Sequence, residues 1–210
     1  MKSRRMGNGM SLLLPGLYVG GFRCARDAKL LEESKITHVV SVQQNARPYH
    51  NHIQYLCITV SDKPDEDLFS AIPRVNDFIH RARRSRGAVL IHCMVGVSRS
   101  VTLATAYIMS TTDYGWKDAL NVVKGARRQA NPNFGFKKQL RKFEEEGVVA
   151  ERQRLCASVG GCMDAGDLEA CRRLLAQYER WLQFGDKLED EREAALIEKE
   201  LHEERMLQST

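Results

Sequence analysis

Residues 88–93 read AVLIHC, a short apolar run with no polar alternation. Such a run is too short for a helix of its own, and it suits a strand covered on both faces at the centre of a parallel sheet. Only five residues separate it from RSVTLATAYIMSTT (99–112), which is apolar nearly all round and so predicts a buried helix. A buried strand feeding a buried helix needs layers on both sides of it. The expected fold is therefore α/β, a mainly parallel central sheet flanked by helices. At 210 residues the chain can bury one sizeable core and carry an appendage.

The other segments fit that plan. LPGLYVGG (14–21) reads as an edge strand or hairpin broken at Pro15 and Gly16. ITHVVSV (36–42) and IQYLCITV (53–60) are β-branched, apolar strands. Residues 25–35 predict a short amphipathic helix. Residues 67–84 predict a longer one, kinked at Pro73 or starting near Ala71, with Arg81, Arg83 and Arg84 in its last turn where they complement the helix dipole. Two amphipathic helices, 115–130 and 131–146, are separated by an Asn-Pro break. The chain divides into a leader (1–11), a compact domain (12–147) and a helical, charge-rich extension (148–210). That extension is expected to hold helices over 168–184 and 186–207, with joints at Gly160, Gly161, Gly166 and Gly185. The second of these helices is a candidate surface for a protein partner.

Composition narrows the function. Residues 1–150 are net basic and residues 151–210 net acidic within an overall charge of +5, which suits an anionic substrate. A nucleic-acid partner is not expected. No apolar run is long enough to cross a bilayer. The six cysteines show no CxxC pair and no zinc spacing, so most are expected as free thiols and no metal or cofactor is expected. A cytoplasmic or nuclear location follows.

The chemistry sits between the strand and the helix. A helix opening near Arg99 aims unpaired backbone N–H groups at the loop it leaves. The loop Met94–Val95–Gly96–Val97–Ser98 can curl its amides into an anion nest, with Gly96 supplying the backbone freedom. Arg99 adds a planar fork that matches two phosphate oxygens. The same donors favour the thiolate of Cys93, which is otherwise only a few per cent ionised at neutral pH. A thiolate beneath a bound phosphate is placed for in-line attack on phosphorus. A general acid on a loop over the same sheet end must protonate the leaving oxygen. The loop after the strand 53–60 offers Asp62, Asp65, Glu66 and Asp67.

His92, Cys93, Gly96, Arg99 and Ser100 match the HCxxGxxRS pattern, and the chain resembles the cysteine-dependent protein phosphatases. LPGLYVG, ITHVVSV, SDKP, AYIM, GWKDAL and NPNFGF extend the likeness over about residues 6–147, to the small atypical dual-specificity phosphatases. The opening MGNGM is similar to the myristoylated members of the Jun-kinase-pathway type. The resemblance implies hydrolysis of phosphotyrosine and phosphoserine/threonine in phosphorylated proteins, through a cysteinyl-phosphate intermediate and in kinase signalling. It implies that Asp62, two residues before Pro64, is the general acid. It also implies that Ser100 assists the sulfur as leaving group and that His92 orients the loop. The loop interior lacks the lysines that related phosphoinositide phosphatases carry, which favours protein substrates.

MGNGMS (6–11) also satisfies the myristoylation pattern at Gly7, although MKSRR precedes it. Initiation at Met6 exposes that glycine, and initiation at Met1 blocks it. One acyl chain gives weak, reversible membrane association. The alternatives are a pseudophosphatase that binds phosphoprotein without turnover, a sulfurtransferase, and an assembly protein acting through its tail.

Overall fold

The computed structural model describes residues 9–159 and 164–185. Five strands form one sheet in the order β1-β2-β5-β3-β4. They are β1 (Ser11–Leu14), β2 (Leu17–Gly21), β3 (Ile36–Val42), β4 (Gln54–Ile58) and β5 (Ala88–Cys93). The β1–β2 hairpin is antiparallel and every other pairing is parallel. β5 lies between β2 and β3, as its unbroken apolar pattern predicts, and Val89, Leu90 and Ile91 are inaccessible to solvent.

The helices are α1 (Phe22–Arg26), α2 (Ala28–Glu33), α3 (Ile72–Arg84), α4 (Arg99–Thr111), α5 (Trp116–Ala126), α6 (Phe134–Glu146), α7 (Val148–Val159) and α8 (165–185). Every residue of α4 is buried. The helix expected over 25–35 is instead two short ones, because Asp27 turns the chain and caps α2, its side chain accepting from Leu30 N at 3.1 Å. α3 begins beyond a single 3₁₀ turn (Phe69–Ala71). That places Pro73 in the first turn, where its missing N–H costs nothing. α5 stops at Ala126, four residues short of the expected end.

The compact body does not stop at Gly147. α7 buries Val148 and Leu155, and α8 buries Ala170, Cys171 and Leu174 in the main core. α8 packs so close to α5 that a Cβ on Gly125 would lie 2.0 Å from the Leu174 carbonyl oxygen. Arg83 lies in the last turn of α3, as expected, and has a stronger partner besides the helix dipole. Its guanidinium forms a paired ion bridge to Asp167 on α8, with Nη1 2.9 Å from Oδ2, and it also donates to Tyr107 Oη and the Pro15 carbonyl. Burial alone would lower the Arg83 pKa; the bonds to Asp167 and Tyr107 reverse that.

Gly166 lies in the first turn of α8 rather than breaking the chain, and Gly185 is the last described residue. Cys24, Cys57, Cys93 and Cys171 are free thiols, whereas Cys156 is disulfide-bonded. Gly7, the glycine pair at 160–161 and the helix expected over 186–207 lie outside the described residues.

Candidate active site

Cys93 is the last residue of the central strand, and α4 starts six residues later. The loop between them is pressed onto the end of β2. Phe22 N donates to the Met94 carbonyl at 3.0 Å, and a Cβ on Gly21 would lie 3.0 Å from the Val95 carbonyl. Gly96 holds φ 74°, the left-handed region, and a Cβ there would meet the Gly20 carbonyl at 2.5 Å. The loop therefore has room for its curl only because Gly21 and Gly96 lack side chains.

The curl turns donors toward the sulfur. Gly96 N–H and the Ser100 hydroxyl each reach Cys93 Sγ at 3.2 Å. Cys93 is 1% exposed, and burial would push its thiol up. The hydroxyl of Ser100 and the backbone N–H groups of Ser100, Gly96 and Val97 outweigh that and hold it below its ordinary value. His92 is buried, and its Nδ1–H donates to the Cys93 carbonyl at 3.2 Å. Burial drives its pKa down to about 4, against the opposing pull of that bond, so the ring is neutral at physiological pH.

Arg99 is buried beside the loop. One N–H goes to the Val60 carbonyl at 3.1 Å, Nε lies 3.7 Å from Asp62 Oδ2, and Nε has no hydrogen-bond partner among the described residues. The guanidinium thus keeps a donor for an anion. Ser98 precedes α4 without capping it. Its hydroxyl turns to Asp62 Oδ1 at 2.7 Å and accepts from Asn133 N at 3.1 Å. Asn133 Nδ2 donates to the same carboxylate oxygen at 2.8 Å, while its Oδ1 caps α6 by accepting from Phe136 N. Beside these groups a cavity of about 610 Å³ is lined by Phe22, Gln43, Tyr49, Met94 and Arg99. A larger one, about 770 Å³, opens between β4 and α3 at the opposite sheet end and contains none of these groups.

The structure therefore brings together Cys93, Gly96, Val97, Ser98, Arg99, Ser100, Asp62 and His92. Met94 and Val95 stand at the rim, with their side chains exposed. Of the four acidic residues offered by the loop, only Asp62 reaches the cysteine loop. Asp67 instead accepts from Ser70 N at the start of the following 3₁₀ turn. Three contributors escaped the sequence reading: the Gly20–Gly21 pair, Asn133 and Arg127. NPNFGF carried the signal for Asn133, since an Asn before a helix is a natural cap. Nothing in the local pattern marks Arg127. A sulfur ringed by donors that favour its thiolate, a buried arginine and a carboxylate bonded to the same loop together suit transfer of a phosphoryl group to sulfur and then to water.

Comparison with known proteins agrees. A family model described as "Dual specificity phosphatase, catalytic domain" matches residues 17–146. "Dual specificity protein phosphatase 22" of Homo sapiens is 46% identical over 171 residues, covering 81% of this chain and 92% of that one. "Dual specificity protein phosphatase 15" of Mus musculus is 44% identical over 174 residues, covering 80% and 74%. The crystal structure of DUSP15 superposes with a TM-score of 0.71 at 40% identity, covering 73% of this chain and 99% of that one.

Proposed function

The chain belongs to the dual specificity phosphatase family and is a protein phosphatase, and we propose that Cys93 is its nucleophile and Asp62 its general acid. The thiolate attacks phosphorus in line with the leaving oxygen. The S–P bond forms, the P–O bond to the substrate side chain breaks, and the Asp62 carboxyl gives its proton to the departing oxygen. The loop amides and the Arg99 fork hold the three equatorial oxygens, where charge gathers in the transition state. Water then attacks the phosphocysteine. Asp62 takes the water's proton, the P–S bond breaks, and Ser100 O–H stabilises the sulfur that leaves.

The observation carrying this reading is the pair of donors on Cys93 Sγ, Gly96 N–H and Ser100 Oγ, each at 3.2 Å. The protein should hydrolyse a phosphotyrosyl peptide without added metal and be inhibited by vanadate, and Cys93→Ser should abolish turnover. Full activity in Cys93→Ser would end the assignment. Signalling through kinases is the cellular setting this activity suits.

Acylation at Gly7 is part of the same proposal, supported by the MGNGMS pattern. It makes the protein a weak membrane binder, otherwise cytoplasmic or nuclear. Mass spectrometry of protein from its own cells tests this, and a recovered N-terminal peptide beginning at Met1 with no acyl mass would refute it. The acidic extension is the proposed partner surface. A chain ending at residue 185 should lose such a partner while keeping peptide turnover, and retention of the partner would place its site elsewhere.

A further inference from the structure

Arg127 follows the last residue of α5 and is 5% exposed. Its Nε donates to the Gly96 carbonyl at 2.6 Å, one terminal nitrogen to the Val95 carbonyl at 3.0 Å, and the other to the Gly9 carbonyl at 3.1 Å. The acceptors it reaches among the described residues are all backbone carbonyls. A buried cation pays heavily for lost water unless its donors are filled. Here burial pulls the Arg127 pKa down, opposed by the Cys24 and Cys93 thiols.

Those carbonyls occupy particular places. A trans peptide is planar, with C=O and N–H pointing opposite ways. When Arg127 draws the Val95 carbonyl outward, the N–H of the same peptide unit, that of Gly96, must point inward, and it meets Cys93 Sγ at 3.2 Å. The next unit repeats this: its Gly96 carbonyl is on Arg127 Nε, and its Val97 N–H is among the donors to the sulfur. Gly96 can place both carbonyls on one side because its φ is positive, and a Cβ there would also lie 2.8 Å from the Arg127 guanidinium. A cation on each carbonyl further polarises the amide on its far side.

We propose that Arg127 is a positioning residue for this reaction: it clamps the two successive peptide units whose N–H groups face the sulfur and the phosphate, and through Gly9 it ties the N-terminal leader to that clamp. It never touches substrate. The charged or titratable groups at this sheet end include Arg99 on α4, Asp62 after β4, His92 on β5, Cys24 and Arg26 on α1, and Arg47 and Tyr49 between β3 and β4. Arg99 bonds the Val60 carbonyl and lies beside Asp62, and His92 bonds the Cys93 carbonyl, whereas the side-chain bonds to the Val95 and Gly96 carbonyls come from Arg127. Loosening Gly9 removes one of three bonds fixing the guanidinium, so the leader that carries Gly7 is felt at the active site.

The inference rests on the phosphatase reading of Cys93, and the test separates the two. Full-length Arg127→Met and Arg127→Lys and a chain lacking residues 1–9 are compared with the native protein. The readouts are the pH dependence of Cys93 alkylation by iodoacetamide, followed on the Cys93 peptide, vanadate affinity, and thermal unfolding as the control for folding. Arg127→Met should raise the alkylation midpoint by about one pH unit and weaken vanadate about tenfold. Arg127→Lys, a point charge that cannot fork across two carbonyls, should restore only part of this. Loss of residues 1–9 should move the midpoint the same way by a smaller step. A folded Arg127→Met with native midpoint and vanadate affinity overturns the clamp. If that variant does not fold, native midpoints in both Arg127→Lys and the truncated chain overturn it. A native midpoint in the truncated chain alone removes the leader from the proposal. A native protein whose Cys93 alkylates like an ordinary thiol refutes instead the phosphatase reading beneath it.

Discussion

Replacing Asp167 by alanine should destabilise the whole phosphatase body, although Asp167 lies beyond the family domain and far along the chain from the cysteine loop. Its carboxylate faces the Arg83 guanidinium, with side-chain exposures of 5% and 12%. Removing one partner of such a pair strands the other charge and costs about 3–5 kcal/mol. That is a large share of the roughly 5–15 kcal/mol that holds a domain folded. For a chain of this length each kcal/mol moves the melting point by about 2–4 °C, so a fall of about 6–20 °C is expected. Arg83→Leu should cost a similar amount. The double variant Arg83→Leu/Asp167→Leu should recover much of the loss, since no charge is left unpaired and His80 Nδ1 still meets Tyr107 Oη at 3.1 Å. Cys171 gives a local reading of α8. Burial, and then the charge of Asp167, push its thiol up to about 12, so in the native protein it should resist alkylation. In Asp167→Ala it should label as α8 loosens. Single variants as stable as the native chain, or a double variant whose loss equals the sum of the singles, would refute the claim that α8 is locked to α3 through this pair.

Asp62→Asn should lower kcat by about 10²- to 10⁴-fold on a phosphotyrosyl peptide while leaving vanadate affinity within a few fold; an unchanged kcat would remove Asp62 from proton transfer. Gly96→Ala should cut activity about a hundredfold or more, because its Cβ would fall 2.5 Å from the Gly20 carbonyl and force the loop open; native turnover would show that the curl is not needed. His92 gives a pH signature. Its folded pKa of about 4 lies below the value near 6.5 of an exposed ring, so the unfolded chain binds more protons between the two. Its contribution to stability is present above about pH 6.5, falls as pH drops toward 4, and amounts to roughly 3 kcal/mol. Denaturant melts across that window should show a shallower acid slope in His92→Asn, and parallel slopes would contradict the assignment.

Much of this was readable from residue order. The apolar run 88–93, its cysteine and the glycine–arginine spacing that follows demand a central strand, a tight loop and a buried helix. Those are local consequences of burial and backbone sterics. What escaped depends on groups distant in sequence. Asn133 finds Asp62 from 71 residues away, and Arg127 finds Gly96 from 31. Gly20 and Gly21 read as strand residues, and their role as a floor for the cysteine loop comes from the β2–β5 register. The arginines at 81–84 illustrate the limit. Dipole complementarity is the only partner that local sequence offers, whereas Asp167 supplies Arg83 with a stronger one. The body continues past Gly147 for the same reason. Charge density in the last 60 residues suggests a separate tail, but the apolar stripe of α8 finds its cover on α5.

The covalent intermediate is the most direct test of the account. Ser100→Ala removes the hydroxyl 3.2 Å from the sulfur, so the phosphocysteine should still form, though from a thiolate that has lost one of its donors, and its breakdown should slow more than its formation. Mixing this variant with an aryl phosphate, quenching in acid within a few turnovers and mapping the peptides should find one added phosphoryl mass on Cys93 and a burst of released phenol matching the enzyme concentration. A phosphoryl mass on any other residue, or no burst and no modified peptide while the variant still turns over, would contradict attack by the Cys93 thiolate.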